Sequence, residues 1–167
     1  MELKFLKIPL RALLFFNLLQ QYIIVAYEGI VFALITAVSF GVWTVFHQQA
    51  SPHINPIFGA IVVSLTAVIL GSIILLPQLK GLTLFTNQKV IIFVVLAGLS
   101  AFAIDFFALK TYASGVPISV GGPIIIGGSV AIASIIGLLV LGESISLMKI
   151  LGIALVVGGA GILASLS

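Results

Sequence analysis

Long apolar runs separated by short polar stretches dominate the chain from residue 29 onward. A helix needs roughly 20 mainly apolar residues to cross the hydrocarbon core of a bilayer. The pattern predicts five membrane-spanning helices, at about 29–46, 56–76, 90–109, 118–141 and 147–166. Pro56 suits the first turn of the second helix, and Pro77 ends it. Because the links are short, neighbouring helices are predicted to be antiparallel.

Residues 1–27 form a predicted N-terminal extension ahead of a transmembrane domain at 28–167. The extension is apolar, but it is interrupted by Asn17, Gln20 and Gln21. Positively charged residues favour the cytoplasmic face of a membrane. With Lys80, Lys89 and Lys149 on one predicted face and Lys110 on the other, the first helix begins in the cytoplasm. An extension that stays on that face adds Lys4, Lys7 and Arg11 to the majority. This favours an interfacial helix, with an extra membrane-spanning helix as the alternative.

The composition agrees with a membrane location. Hydrophobic residues make up 62% of the chain and charged residues 7%, whereas about a quarter of a typical soluble domain is charged. A soluble domain of 167 residues could not bury so much apolar surface. We therefore expect an all-α integral membrane protein, a five-helix transmembrane bundle with an additional N-terminal apolar helical segment, that passes through the cell membrane several times.

The remaining composition argues against several functional classes. The net charge of +3 comes without a basic run interleaved with aromatic residues, so no nucleic-acid partner is expected. The chain has no cysteine, which excludes disulfides, thiolate metal sites and cysteine nucleophiles. His47 and His53 are six positions apart with no acid nearby in the sequence, and no metal site is expected. No phosphate-binding loop, Ser-His-Asp set or HExxH motif is present. The sequence therefore predicts neither an enzyme nor a bound cofactor.

Small residues recur at helical spacing in three of the predicted helices, including the fourth, which carries Gly127, Ala131 and Ser134. Such stripes let membrane helices approach each other closely, within a bundle or an oligomer. The predicted helix-packing residues are Ala33, Ala37 and Gly41 in the first helix, and Ala154, Gly158 and Gly161 in the fifth.

Asp105 is the one acidic residue inside a predicted membrane span. A carboxylate at that depth is costly, and it usually has a partner or faces a hydrated cavity. It is a candidate for a proton- or cation-responsive site on a substrate pathway. The alternative is an acid that reaches toward the membrane surface and pairs with Lys110.

The fourth predicted helix contains Gly121, Gly122 and Pro123. Proline removes a backbone hydrogen bond and glycine loosens the helix, and broken helices in transporters often border a substrate site. These residues are candidates for the pathway, with a packing kink as the alternative.

Trp43 and His47 lie four residues apart on one face of the first helix, and Tyr112 is predicted at the same side of the membrane. They are candidates for a gate or a recognition surface. The alternative is an interfacial aromatic belt with a solvated histidine.

An ordered set of motifs in the second half resembles the EamA family of the drug/metabolite transporter superfamily. The set comprises the link 108–115 (ALKTYASG), Pro123, the turn 141–144 (LGES) and the glycine-rich last helix from Lys149 to Gly161. The resemblance covers the region from about Tyr27 onward. Two departures stand out: Phe40-Gly41 replaces the usual Trp-Gly, and no glutamate lies within 29–46, where small multidrug exporters of the superfamily carry one.

The resemblance implies a transporter of small metabolites or organic cations that works by alternating access in the lipid bilayer. Typical members carry two inverted five-helix repeats, and this chain contains one such unit. The implied partner is therefore a second copy, as a homodimer, or a related five-helix half, together with a small-molecule substrate. The alternative function is a non-transporting membrane subunit that stabilises or regulates a larger complex.

Overall fold

Five long helices make up most of the chain in the computed structural model, which describes residues 10–82, 84 and 87–165. They are α1 (Leu10–Ala50), α2 (Pro56–Leu75), α3 (Lys89–Ala113), α4 (Ile118–Leu139) and α5 (Leu147–Ser165), and the described residues contain no strand. Five segments of 19 to 27 residues, one along each helix and in two cases extending into the short 3-10 turn that follows, are long and apolar enough to span a membrane. At about 1.5 Å per residue, the shortest of these still approaches the roughly 30 Å of a bilayer core. The predicted all-α fold with five membrane-spanning helices is confirmed.

Two helices run further than the hydropathy pattern indicated. Helix α1 continues to Ala50, and α3 continues to Ala113, through residues that were predicted to belong to a link. Lysine and glutamine sustain a helix well, and no glycine or proline interrupts either segment before Pro52 and Gly115.

Helix α1 also begins at Leu10 and passes residues 27 and 28 without a break. Residues 1–9 of the predicted extension lie outside the described residues. The separation of residues 1–27 from the transmembrane domain, and the position of that segment relative to the membrane, remain predictions.

Local capping chemistry fixes the ends of the helices. The side-chain oxygen of Asn55 accepts hydrogen bonds from the backbone amides of Ile57 (3.0 Å) and Phe58 (3.3 Å), at the start of α2. The links after α3 and α4 contain Gly115 and Gly142 with φ of +89° and +67°, a conformation that favours glycine. These compact turns reverse the chain direction between successive helices.

The turn between α4 and α5 is closed by a side chain as well. The carboxylate of Glu143 lies against Gly137, where an added Cβ would be 3.1 Å from Oε1. Lys149 Nζ lies 3.4 Å from Oε2 of the same carboxylate, and the Lys149 amide donates to Ser146 Oγ at 3.2 Å. Because both charged side chains are about half exposed, we attribute only a small part of the stability to this pair.

The chain forms two units, residues 1–43 and residues 44–167. Within the second unit, α2 packs mainly on α3, and α4 packs mainly on α5. Glycines make both contacts close. A Cβ added at Gly59 would lie 2.6 Å from Leu109 Cδ1, and one added at Gly127 would overlap Ala160. Small residues at such points are the usual means by which helices associate in lipid.

Few of the described side chains are buried. The buried apolar residues are Ala60, Ala108, Leu109 and Tyr112, and α5 has no buried residue at all. Most of the large apolar side chains therefore face outward, as they do where lipid is the solvent.

The stripes predicted in the first and fifth helices do not form the close contacts seen among the described residues, whereas Gly127 of the stripe predicted in the fourth helix does. Ala33, Ala37, Ala154 and the stripe glycines are exposed, and a Cβ added at Gly41, Gly158 or Gly161 would meet nothing within 4 Å. Helix α5 instead meets Gly127 of α4 through Val156 and Ala160. That the stripes pack against another chain remains a prediction.

Candidate functional site

A cluster of buried polar side chains lies at one end of the 44–167 unit. It contains Thr44, His47 and Ser51 from the end of α1 and the turn that follows, and Asp105 from α3, each with at most 8% of its surface exposed. The α1 residues recur at intervals of three and four, which places them on one helical face. The same end of the unit holds the link between α3 and α4.

A close contact between His47 and Asp105 forms the centre of this cluster. His47 Nε2 lies 3.2 Å from Asp105 Oδ1, and the two side chains are 4% and 11% exposed. A buried carboxylate in an apolar protein requires a compensating partner. The imidazole, when protonated, supplies the opposite charge across the α1–α3 contact.

The suggested pairing of Asp105 with Lys110 is wrong. Lys110 is exposed, and its Nζ lies 5.8 Å from the centroid of the Phe106 ring, a cation–π arrangement. Residues five positions apart on a helix point in different directions, so Lys110 does not share the face of Asp105. The reading of His47 as a solvated histidine is equally wrong, because that side chain is buried.

Tyr112 covers the start of α4. A Cβ added at Gly121 would lie 2.9 Å from Tyr112 Cε1, and one added at Gly122 would lie 3.6 Å from the Thr44 methyl group. The two glycines therefore allow α4 to approach both the tyrosine ring and the end of α1. The Tyr112 hydroxyl is buried and has no hydrogen-bond partner among the described residues.

The structure brings five of the seven predicted pathway residues into one cluster. These are His47, Asp105, Tyr112, Gly121 and Gly122. Thr44 and Ser51 were not predicted, although their helical spacing from His47 forms a polar stripe in the sequence.

The other two predicted residues lie elsewhere. Pro123 lines a groove of about 400 Å³ between α4 and α5, beside Gly127 and Val156. Helix α4 is continuous through Pro123, which lies in its second turn and removes only one backbone hydrogen bond. Trp43 belongs to the 1–43 unit, where its ring stacks on Phe40 with centroids 4.9 Å apart.

The chemistry available at this cluster is that of proton and charge exchange. An imidazole and a carboxylate in contact can share a proton. Beside the cluster, an apolar groove of about 270 Å³ runs along α3 at Ile104, Ala108 and Thr111 and reaches Ile125 of α4. Among the described residues, no group of three or more His, Cys, Asp or Glu could hold a metal ion.

The Tyr112 hydroxyl gives a prediction for stability. We expect Tyr112→Phe to raise the free energy of unfolding by about 1 kcal/mol, because it removes a buried hydroxyl that has no partner. The measurement is denaturant unfolding in mixed micelles. Tyr27→Phe, at a side chain that is 70% exposed, is the matched control and should change little. A loss of stability in Tyr112→Phe would show that the hydroxyl has a bonding partner after all.

Comparison with known proteins adds one positive finding. The family model described as the EamA-like transporter family matches residues 27–165. No curated protein and no solved structure matches the chain. The match includes every residue of the polar cluster.

Proposed function

The chain belongs to the EamA-like transporter family, and we propose that it moves small metabolites or organic cations across the cell membrane by alternating access, as a dimer of five-helix units. Membership places it among the membrane transporters of the drug/metabolite transporter superfamily. The five apolar helices make it a multi-pass membrane protein. The substrate class, the dimer and alternating access go beyond family membership and are proposed.

The buried His47–Asp105 contact carries the proposal. Charged groups within membrane helices are rare because they are costly, and they commonly mark substrate paths or proton relays. Asp105 is the one acidic residue in α2–α5, and it faces His47 rather than the membrane surface. Small transporters also place their sites where helices are loosened, and Gly121 and Gly122 adjoin this cluster.

Exposed helix faces of the single chain support the proposed dimer. Helix α5 has no buried residue, and the small-residue stripe at Gly158 and Gly161 contacts no side chain in the part of the chain that the structure describes. A second copy or a related five-helix half would cover such faces and enclose a pathway between two units. The lysine distribution favours one fixed orientation, so a parallel homodimer and a partner of opposite bias are both compatible with the proposal.

Flux measurements in proteoliposomes test the function. Purified chain would be reconstituted and supplied with pools of organic cations and small metabolites, with and without a pH gradient. We expect Asp105→Asn to reduce gradient-driven flux at least about tenfold, the effect of losing roughly 1.4 kcal/mol of interaction. Lys110→Gln, at the exposed cation one and a half turns away, is the control and should retain flux. If the dimer is required, mixing wild-type and Asp105→Asn chains should lower flux as the square of the wild-type fraction.

Three results would contradict parts of this proposal. Equal flux in wild type and Asp105→Asn would remove Asp105 from the mechanism. Flux in proportion to the wild-type fraction would contradict the dimer. No flux for any pool, together with a stoichiometric foreign partner in purifications, would replace transport with the non-transporting subunit.

A further inference from the structure

We propose that the His47–Asp105 contact is a latch that holds one end of the 44–167 unit closed to water, the end at which α3 links to α4. We call this pair the His47–Asp105 latch. The inference rests on the proposed function for its purpose, since a gate serves a transport pathway, but the contact itself requires no substrate.

The latch lies close to the ends of three helices. His47 lies in the last turn of α1, Asp105 lies about two turns before the end of α3, and Gly122 lies in the second turn of α4. Three helix ends therefore converge at this end of the unit. In the proposed latch, this contact keeps water from the apolar groove that runs along α3 at Ala108.

The end of α1 lies against both α3 and α4. A Cβ added at Gly122 would lie 3.6 Å from the Thr44 methyl group, and Gly122 has no side chain with which to interlock. His47 Nε2 lies 3.2 Å from Asp105 Oδ1, and this contact joins α1 to α3 through opposite charges when the imidazole is protonated. Loss of either side chain therefore removes an attraction between α1 and α3.

A buried hydroxyl group at this junction favours the open state. The Tyr112 hydroxyl is buried without a partner among the described residues, and opening toward water would hydrate it. The charge pair thus favours closure while the hydroxyl favours opening. Two opposing contributions to the free energy of opening at one junction allow a gate to exchange between a closed and an open state.

Because the chain has no cysteine, single cysteines can report the opening. Ala108→Cys places a thiol at a position that is 2% exposed, one helical turn from Asp105. The probe is a water-soluble, membrane-impermeant maleimide present on both faces of proteoliposomes. We expect labelling to be at least tenfold faster when Asp105→Ala is added. The exchange His47→Asp with Asp105→His restores the charge pair and should return labelling to the slow rate.

Two further cysteines separate gate opening from general loosening. Ser114→Cys, exposed at the end of α3, should label rapidly in every background. Ser134→Cys, in the groove between α4 and α5, should stay unlabelled in every background. The latch is overturned if Ala108→Cys labels equally with and without Asp105→Ala, if Ser134→Cys becomes reactive too, or if the exchanged pair fails to slow the labelling.

The cysteine-labelling experiment and the flux experiment can fail independently of each other. Flux together with unchanged labelling would overturn the latch and leave transport intact. Controlled labelling in a chain that carries no solute would overturn transport and leave the latch intact.

Discussion

Replacing His47 with alanine should lower the free energy of unfolding by about 3 kcal/mol, roughly a hundredfold in the ratio of folded to unfolded chains. The substitution leaves the Asp105 carboxylate inside the protein, where its side chain is 11% exposed, without the partner that balances its charge. Removing one member of a buried pair costs far more than the pair contributes as a whole. Denaturant unfolding in mixed micelles measures the difference.

His53→Ala is the matched control, because His53 is the other histidine of the chain and is exposed. We expect it to change stability by less than about 0.5 kcal/mol. A double substitution, His47→Leu with Asp105→Leu, removes both charges and should recover most of the lost stability, since apolar pairs often replace buried ion pairs at little cost. Equal losses at His47 and His53 would show that the contact with Asp105 does not stabilise the fold.

The second large effect is expected at Gly127. Gly127→Ala should destabilise the chain by about 1–3 kcal/mol, because the added methyl group would overlap Ala160 and force α4 and α5 apart. The backbone oxygen of Val156 lies 3.4 Å from the same added atom, so the helix cannot simply rotate away without losing contact. Unfolding of the purified variant in micelles provides the measurement.

The adjacent glycine provides the control. A Cβ added at Gly128 meets nothing within 4 Å, so Gly128→Ala should be neutral or stabilise the helix by up to about 1 kcal/mol. Changes in the free energy of unfolding that have opposite signs at Gly127 and Gly128 cannot arise from helix propensity alone. If both substitutions stabilise the protein, α4 and α5 do not make their closest contact at Gly127.

Hydropathy was sufficient to predict the helices but not all of their ends. A bilayer imposes a length and an apolar composition on each span, and both are readable without knowledge of packing. The last turns of α1 and α3 contain Gln48, Lys110 and Thr111, which are polar and yet remain helical. Hydropathy records where lipid ends, whereas the helix continues until backbone hydrogen bonds are interrupted at a glycine or proline.

The central contact of the site could not be predicted in the same way. Asp105 was recognisable because an acid within a span is unusual, but its partner lies on a helix distant in sequence. No local spacing rule reveals which helices meet. The discarded alternative, Lys110, could have been excluded from helical geometry, since five positions turn a side chain to another face.

Small residues gave a similarly partial prediction. Gly127 belongs to a predicted stripe and makes a close contact, whereas Gly158 and Gly161 have the same spacing and make none among the described residues. Spacing identifies a face that permits close approach, but several faces of these glycine-rich helices satisfy it. Which face is used depends on the shape of the opposing helix, such as Leu109 opposite Gly59.

The pairing of α2 with α3 and of α4 with α5 also has a consequence for how the protein is made. Each pair consists of helices that follow one another in the chain. Such local contacts keep the entropy of loop closure small, and chains rich in them fold quickly. Each hairpin can therefore assemble as soon as its second helix leaves the ribosome. The junction of His47 with Asp105 requires both α1 and α3, so its buried charges are the first groups that must wait for a distant partner.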